Sequence, residues 1–280
     1  MKLLRLCCIA LPLLALSAQA SVLNSANAFG VLGASTVTNT GFSVINGDLG
    51  LWPGTSITGF FAVDGGPGIV NGAIHKTDGV AQLAQSDALT GYNTLVGLSA
   101  TGTLGMIIGG GQTLITGVYD FSTPSAQLNG QLFLDFQGLN NAMIVFRMGT
   151  TLTTASASSV VVINPGLNDQ VFWAVGSSAT LGTTTAFYGS IIAQQSITLN
   201  TLATIDCGRA IALNAAVTMD TNTVSTGNCA TSTTPTPEPA TLSLVGTGVI
   251  AAGAAAWDST LAGLGLAGAF AAIRRRMRRC

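Results

Sequence analysis

The sequence predicts an all-β fold, a three-sided β-solenoid with one long helix packed along its flank, and three observations lead there. The first is charge. Charged residues make up 8% of the 280-residue chain, against roughly 25% in an average globular protein. Seven of the ten Lys and Arg crowd the two ends, so residues 21–234 carry nine Asp, no Glu, and Lys76, Arg147 and Arg209 as their cations. The second is a hexad that recurs as Ser125–Gly130, Gly149–Thr154, Ser178–Thr183, Ser196–Thr201 and Ala216–Thr221. The third is a Gly that opens a strand, as in Asn46-Gly47, Asn71-Gly72, Asn129-Gly130, Tyr188-Gly189 and Cys207-Gly208. Gly at a corner permits positive φ and close backbone approach.

Aligned by hexad, the fourth column reads Leu128, Leu152, Leu181, Leu199, Met219 and the third reads Gln127, Thr151, Thr180, Thr198, Thr218. Strand side chains alternate faces, so the fourth column points inward and the third outward. The second column is also inward, with Thr150 as its polar exception. Leucine spacings of 24, 29, 18 and 20 residues fit one turn of a three-sided coil with variable loops at one corner. Apolar strands at Gly117–Phe121, Ala142–Met148 and Gln170–Val175 supply another wall, and Thr36-Val37 and Ser56-Ile57 continue the register toward the N-terminus. A β-sandwich with coincidental Thr periodicity would lack such columns.

Taken in chain order, residues 1–20 come first, with Lys2 and Arg5, an apolar run and Ala18-Gln19-Ala20, the pattern of a secretory signal peptide. Residues 21–230 form the solenoid domain. Within it Thr77–Gly97 is expected to be helical, capped by Thr77 or Asp78, with Val80, Leu83, Ala84, Ala88, Tyr92, Leu95 and Val96 as its apolar stripe. Residues 231–239 (TSTTPTPEP) form an extended Pro/Thr linker. Residues 240–280 are an apolar segment ending in Arg274, Arg275, Arg276, Arg278 and Arg279. That order, Pro237-Glu238-Pro239 then apolar run then Arg cluster, resembles a PEP-CTERM sorting tail of Gram-negative bacteria. The resemblance implies export, an exosortase-type processing enzyme as partner, and transient inner-membrane anchoring through residues 242–273. Asp258-Ser259-Thr260 divides the apolar run, a departure from the single short span of that family.

Removal of the signal takes Cys7 and Cys8, and Cys280 ends the tail, leaving Cys207 and Cys229 about one coil apart in an exported body. A disulfide between them is expected. No cysteine or histidine spacing suggests a metal, and no cofactor is implied. Gly263–Gly268 matches a dinucleotide fingerprint but lies in the apolar tail with no strand before it, so it is a chance match. Three scattered cations exclude nucleic-acid binding. With one His and no Glu in the body, and Asp residues placed beside Gly or at strand ends where they serve turns, no catalytic residues are assigned and an enzyme is not expected. His75 reads as a cap or surface residue.

What remains is the Thr column. Thr presents a methyl and a hydroxyl on a stiff β-branched frame, and stacked strands repeat it every 4.7–4.9 Å or so, giving a flat, uncharged, periodic sheet suited to a periodic solid. Residues 27–40, 44–50, 149–155 and 175–183 resemble the microbial ice-binding-like β-solenoid family. The resemblance spans about residues 22–226. It implies a right-handed triangular solenoid, rungs whose spatial order departs from chain order, and one flat face that binds ice through T-x-[AG]-[TN] segments. Thr180-Leu-Gly-Thr183 fits that motif, while Thr198–Thr201 and Thr218–Thr221 fit with Asn and Asp in the third place. The candidate ice-binding residues are therefore Thr151, Thr180, Thr198 and Thr218 in one ladder and Thr153, Thr183, Thr201 and Thr221 in a second. The function expected is that of an exported ice-binding protein. The alternative is a cell-surface adhesin or matrix protein whose partner is exopolysaccharide.

Overall fold

In the computed structural model, which describes residues 21–227 and Cys229, short strands stack into three parallel sheets of nine, eight and eight strands. One coil shows the plan: Phe29–Gly33 lies on the first sheet, Thr36–Asn39 on the second and Val44–Asn46 on the third. These sheets are called here the helix face, the Thr face and the third face. Every strand pairing is parallel, as expected when each coil repeats the last.

Spatial order departs from chain order. The chain starts in the middle of the stack and winds outward through Asp48–Leu51, Ser56–Thr58 and Ile69–Val70 to an edge strand at Ile74–Lys76. The helix Gly79–Val96 then runs back along the flank; at 1.5 Å per residue its 18 residues cover about 27 Å. Winding resumes at the opposite edge with Gly102–Leu104 and returns, coil by coil, until the last coil meets the first. At that seam Val31 faces Ala210, Thr38 faces Thr218 and Val44 faces Thr223.

Asp78 caps the helix, its carboxylate accepting from the Ala81 amide at 2.8 Å, and Thr77 precedes it with φ of 56°. The buried stripe is Ala81, Ala84, Gln85, Ala88, Gly91, Tyr92 and Leu95. This corrects the expected stripe in part, because Val80, Leu83 and Val96 are 48%, 55% and 41% exposed. The helix sits too close for branched residues at its centre: a Cβ on Gly91 would meet the Val22 carbonyl oxygen at 2.6 Å. Gln85 is buried instead because its amide donates to two strand-end carbonyls, Gly33 at 2.9 Å and Ala212 at 3.1 Å. At the other end, the Arg147 guanidinium donates to both Asp120 oxygens at 2.8 and 2.9 Å and to the Val96 and Leu98 carbonyls. A cation there also complements the negative end of the helix dipole.

The interior is filled by inward files. Tyr119, Phe146 and Trp173 face one another in successive rungs, with Phe146 and Trp173 stacked at 3.9 Å between centroids. The Trp173 indole N–H finds the Tyr188 carbonyl at 3.1 Å. Cys207 and Cys229 form a disulfide with 4.5 Å between Cα atoms, at the corner between the third face and the helix face. Residues 1–20 and 231–280, with the expected signal peptide, linker and sorting tail, lie outside the described residues. No helix among the described residues is long and apolar enough to cross a membrane.

Candidate functional site

The Thr face carries two outward files. In the first, Thr58, Thr38, Thr218, Thr198, Thr180 and Thr153 stand opposite one another in six successive rungs, followed by Gln127 and Ile107. Each Thr is flanked by inward residues buried to the core: Val217 and Met219 about Thr218, Ile197 and Leu199 about Thr198, Ala179 and Leu181 about Thr180. Two residues upstream runs the second file, Ser56, Thr36, Ala216, Ser196, Ser178, Thr151 and Ser125. Its hydroxyls bridge between rungs, Ser196 to Ser178 at 3.0 Å and Thr151 to Ser125 at 3.1 Å. With rungs about 4.8 Å apart and 3.3 Å per residue along a strand, the two files form a hydroxyl grid of about 4.8 by 6.6 Å. Neither file contains a charged side chain.

The structure regroups the expected ladders. Thr180, Thr198 and Thr218 share one file, but their partner is Thr153, and Thr151 belongs to the second file. The hexad at Gly149–Thr154 is shifted by two residues relative to the others, because Leu152 pairs with Ala179 and Thr154 takes the inward place opposite Leu128. A polar residue is tolerated there because its hydroxyl accepts from the Gly182 amide at 2.8 Å and pairs with the Thr185 hydroxyl at 2.7 Å. The same two-residue shift applies to Thr36 and Ser56, which leaves Thr38 and Thr58 in the main file. Thr183 and Thr201 are exposed at the border with the third face, while Thr221 sits at the corner itself with φ of 54°. Sequence reasoning missed Thr38, Thr58 and the serines. The signal was present as hydroxyl residues at i and i+2 about an apolar one: Thr36/Thr38, Ser56/Thr58, Thr151/Thr153, Ser178/Thr180 and Ser196/Thr198.

The charged groups of the body serve the scaffold. Arg147 and Asp120 clamp the helix end, and Arg209, pushed down to about 10 by burial, donates to the Asn27 carbonyl and the Ser190 hydroxyl. His75 hydrogen-bonds the capping Asp78 at 2.8 Å, and Asp48 and Asp135 accept from the Ala73 and Gln137 amides at 2.8 Å. A cleft of about 690 Å³ lined by Tyr92, Asp120 and Arg147 lies on the helix side, away from the Thr face. Among the described residues no group of three or more His, Cys, Asp or Glu is placed to hold a metal.

A family model described as ice-binding-like matches residues 31–225. The chain is 52% identical to an ice-binding protein of Nostoc sp. (strain HG1) over 238 residues, 84% of this chain and 86% of that protein. Among solved structures, an ice-binding protein from the Antarctic ascomycete Antarctomyces psychrotrophicus superposes with a TM-score of 0.67 at 39% identity, over 74% of this chain and 98% of that one. An ice-binding protein from an Antarctic biological consortium gives 0.65 at 42% identity, over 72% and 89%.

Proposed function

The chain belongs to the ice-binding-like family, and from that premise we propose that it binds ice through the Thr face and so restrains ice growth or recrystallisation. The observation that carries this reading is the unbroken file of six Thr across the seam, Thr58 to Thr153. Binding to a crystal plane requires many weak contacts held at once in fixed positions, because ordering mobile groups costs entropy that each contact must offset. Here the ordering is done by folding. Each β-branched side chain is stiff at χ1, and Thr180, Thr198 and Thr218 are each set by a fully buried neighbour on either side. Long charged chains, which hold water and move, are absent from both files.

The candidate residues on this reading are Thr151, Thr153, Thr180, Thr183, Thr198, Thr201, Thr218 and Thr221, now joined by Thr38 and Thr58. Catalysis has no part in it. Export by residues 1–20, and sorting through the PEP-CTERM-like tail with an exosortase-type partner, complete the proposal. Intact-mass analysis of the protein from its host tests that part, and a mass retaining Arg274–Arg279 would refute processing. The alternative, an adhesin holding exopolysaccharide, gains no support from relatives that are named ice-binding proteins. Ice-affinity partitioning of residues 21–230 tests the main reading. The folded domain should enter a slowly growing ice phase, and its exclusion would overturn the proposal.

A further inference from the structure

At the border of the Thr face, where first and last coils meet, one carboxylate is tied to hydroxyls from neighbouring coils. Asp220 follows the strand Val217–Met219. One of its oxygens accepts from the Thr201 hydroxyl of the preceding coil, and the other accepts from Thr221 at 3.1 Å. The Thr40 hydroxyl, from the first coil, lies beside the cluster, donating to the Met219 carbonyl at 3.4 Å and adding a small share to the lowering of the Asp220 carboxyl. Space for this cluster depends on Gly41, where a Cβ would stand 2.0 Å from the Thr221 hydroxyl and 2.8 Å from the carboxylate. The backbone of Asp220 is fixed as well, its amide donating to the Asn222 side chain at 2.6 Å.

A hydroxyl has one proton to give and two lone pairs, whereas a carboxylate only accepts. Thr201 and Thr221 therefore spend their protons inward on Asp220 and present lone pairs outward. Elsewhere on the face a Thr hydroxyl can rotate to donate or accept. We propose that Asp220 is a positioning residue of the ice-binding face, which fixes the hydrogen-bond polarity of the border hydroxyls so that water beside them must donate to the protein. This rests on the ice-binding reading above. In a series otherwise uncharged, this carboxylate is turned to its neighbouring hydroxyls, and its bonds are charge-assisted.

The test compares wild type with Asp220→Asn, which keeps the shape but replaces one acceptor by a donor, so that a hydroxyl must turn its proton outward. The variant should melt somewhat lower at pH 7, because the carboxylate's charge-assisted bonds also stabilise the fold, but at sub-zero assay temperatures, where both proteins are folded, it should need about tenfold more protein for the same ice recrystallisation inhibition, the equivalent of one charge-assisted hydrogen bond. Wild-type activity should hold from pH 7 down and then fall below the ordinary carboxyl value of 3.8, where Asp220 protonates late because hydroxyls stabilise its ionised form; the Asn variant should show no such step. The segments packed on Asp220, residues 40–43 and 200–203, contain no titratable side chain; because protonation of Asp64 and Asp78 also weakens the fold in acid, the step is read as the difference between the two proteins at pH values where circular dichroism shows both folded. Independently of activity, NMR in supercooled water should show slowly exchanging hydroxyl protons for Thr201 and Thr221 in wild type. Unchanged activity of the folded Asn variant, or rapidly exchanging hydroxyls in wild type, overturns the inference. A folded wild type with no ice activity overturns the functional reading itself.

Discussion

Thr38 and Thr218 stand side by side in adjacent rungs, although one belongs to the first coil of the body and the other to the last. The outward file is therefore assembled from both extremes of the winding, and its continuity depends on the seam between them. Two Thr on one side of that contact and four on the other would otherwise be separate short arrays.

The first prediction concerns the file. Replacing Thr198 by Tyr places a ring at its centre without touching the buried Ile197 and Leu199. Surface changes of this kind usually alter stability by no more than about 0.5 kcal/mol, so the melting temperature should stay put while ice recrystallisation inhibition is largely lost. Gln131→Tyr, on the third face, is the matched control and should remain active. Equal activity of both variants would place the site elsewhere.

The last coil can be loosened from inside. Asn222 is buried, its amide group donating to the Asn200 and Ala203 carbonyls at 2.8 and 3.0 Å, and its backbone N–H donates to the Ser43 hydroxyl at 2.9 Å. Asn222→Ala leaves two carbonyls without their donor, at about 1–3 kcal/mol each. Chemical denaturation should show a loss of about 2–4 kcal/mol, and hydrogen exchange should quicken first where the last coil meets the one before it, in Thr204–Asp206 and Thr223–Ser225.

Reduction provides a second handle on the last coil. The Cys207–Cys229 bridge closes a 22-residue separation, and in the chain-entropy account such a loop contributes about 3 kcal/mol. A Cys207→Ser/Cys229→Ser variant should melt several degrees lower yet keep full ice activity in the cold. Titration of the unfolded, non-reduced protein should detect no free thiol from this pair.

Acid stability follows from carboxylates held by backbone amides. Asp64 accepts from Gly59 at 2.7 Å and from Phe60 and Gly66 at 3.1 Å, and Asp78 accepts from Ala81; these bonds hold both below the usual 3.8. A depressed folded value means the stabilisation is complete above the unfolded value of about 3.9 and disappears as pH falls through the folded one. The melting temperature should be flat from pH 7 to about 5 and fall below about 4. Asp64→Asn should lower it at pH 7 and converge with wild type at the acid end, and a difference that persists at pH 2 would contradict this origin.

Much of this was legible because a solenoid writes its geometry locally. Leu181, Leu199 and Met219 recur one coil apart, so alternation alone separates inside from outside. Register was harder. Thr154 is polar yet inward, and only its pairing with Thr185 and Gly182 explains why; no periodicity rule foresees a partner one coil away. The helix and the Ala84, Ala88, Tyr92 and Leu95 part of its stripe were legible, but Val80, Leu83 and Val96 are exposed, and Ala81, Gly91 and the hydrogen-bonded Gln85 complete the buried side. The adjacency of Thr38 and Thr218 is a property of chain path, invisible to any window of sequence.

That path also places the last described residue away from the Thr face. Because the long helix carries the chain from one end of the stack to the other, neither end of the prism is occupied by the entry or exit of the polypeptide. The described chain departs at Cys229, fastened to Cys207 between the third face and the helix face. In a three-sided prism that corner lies opposite the Thr face. The disulfide therefore lies on the side of the body turned away from the hydroxyl grid, so a label or surface linkage made at that corner leaves the Thr face uncovered.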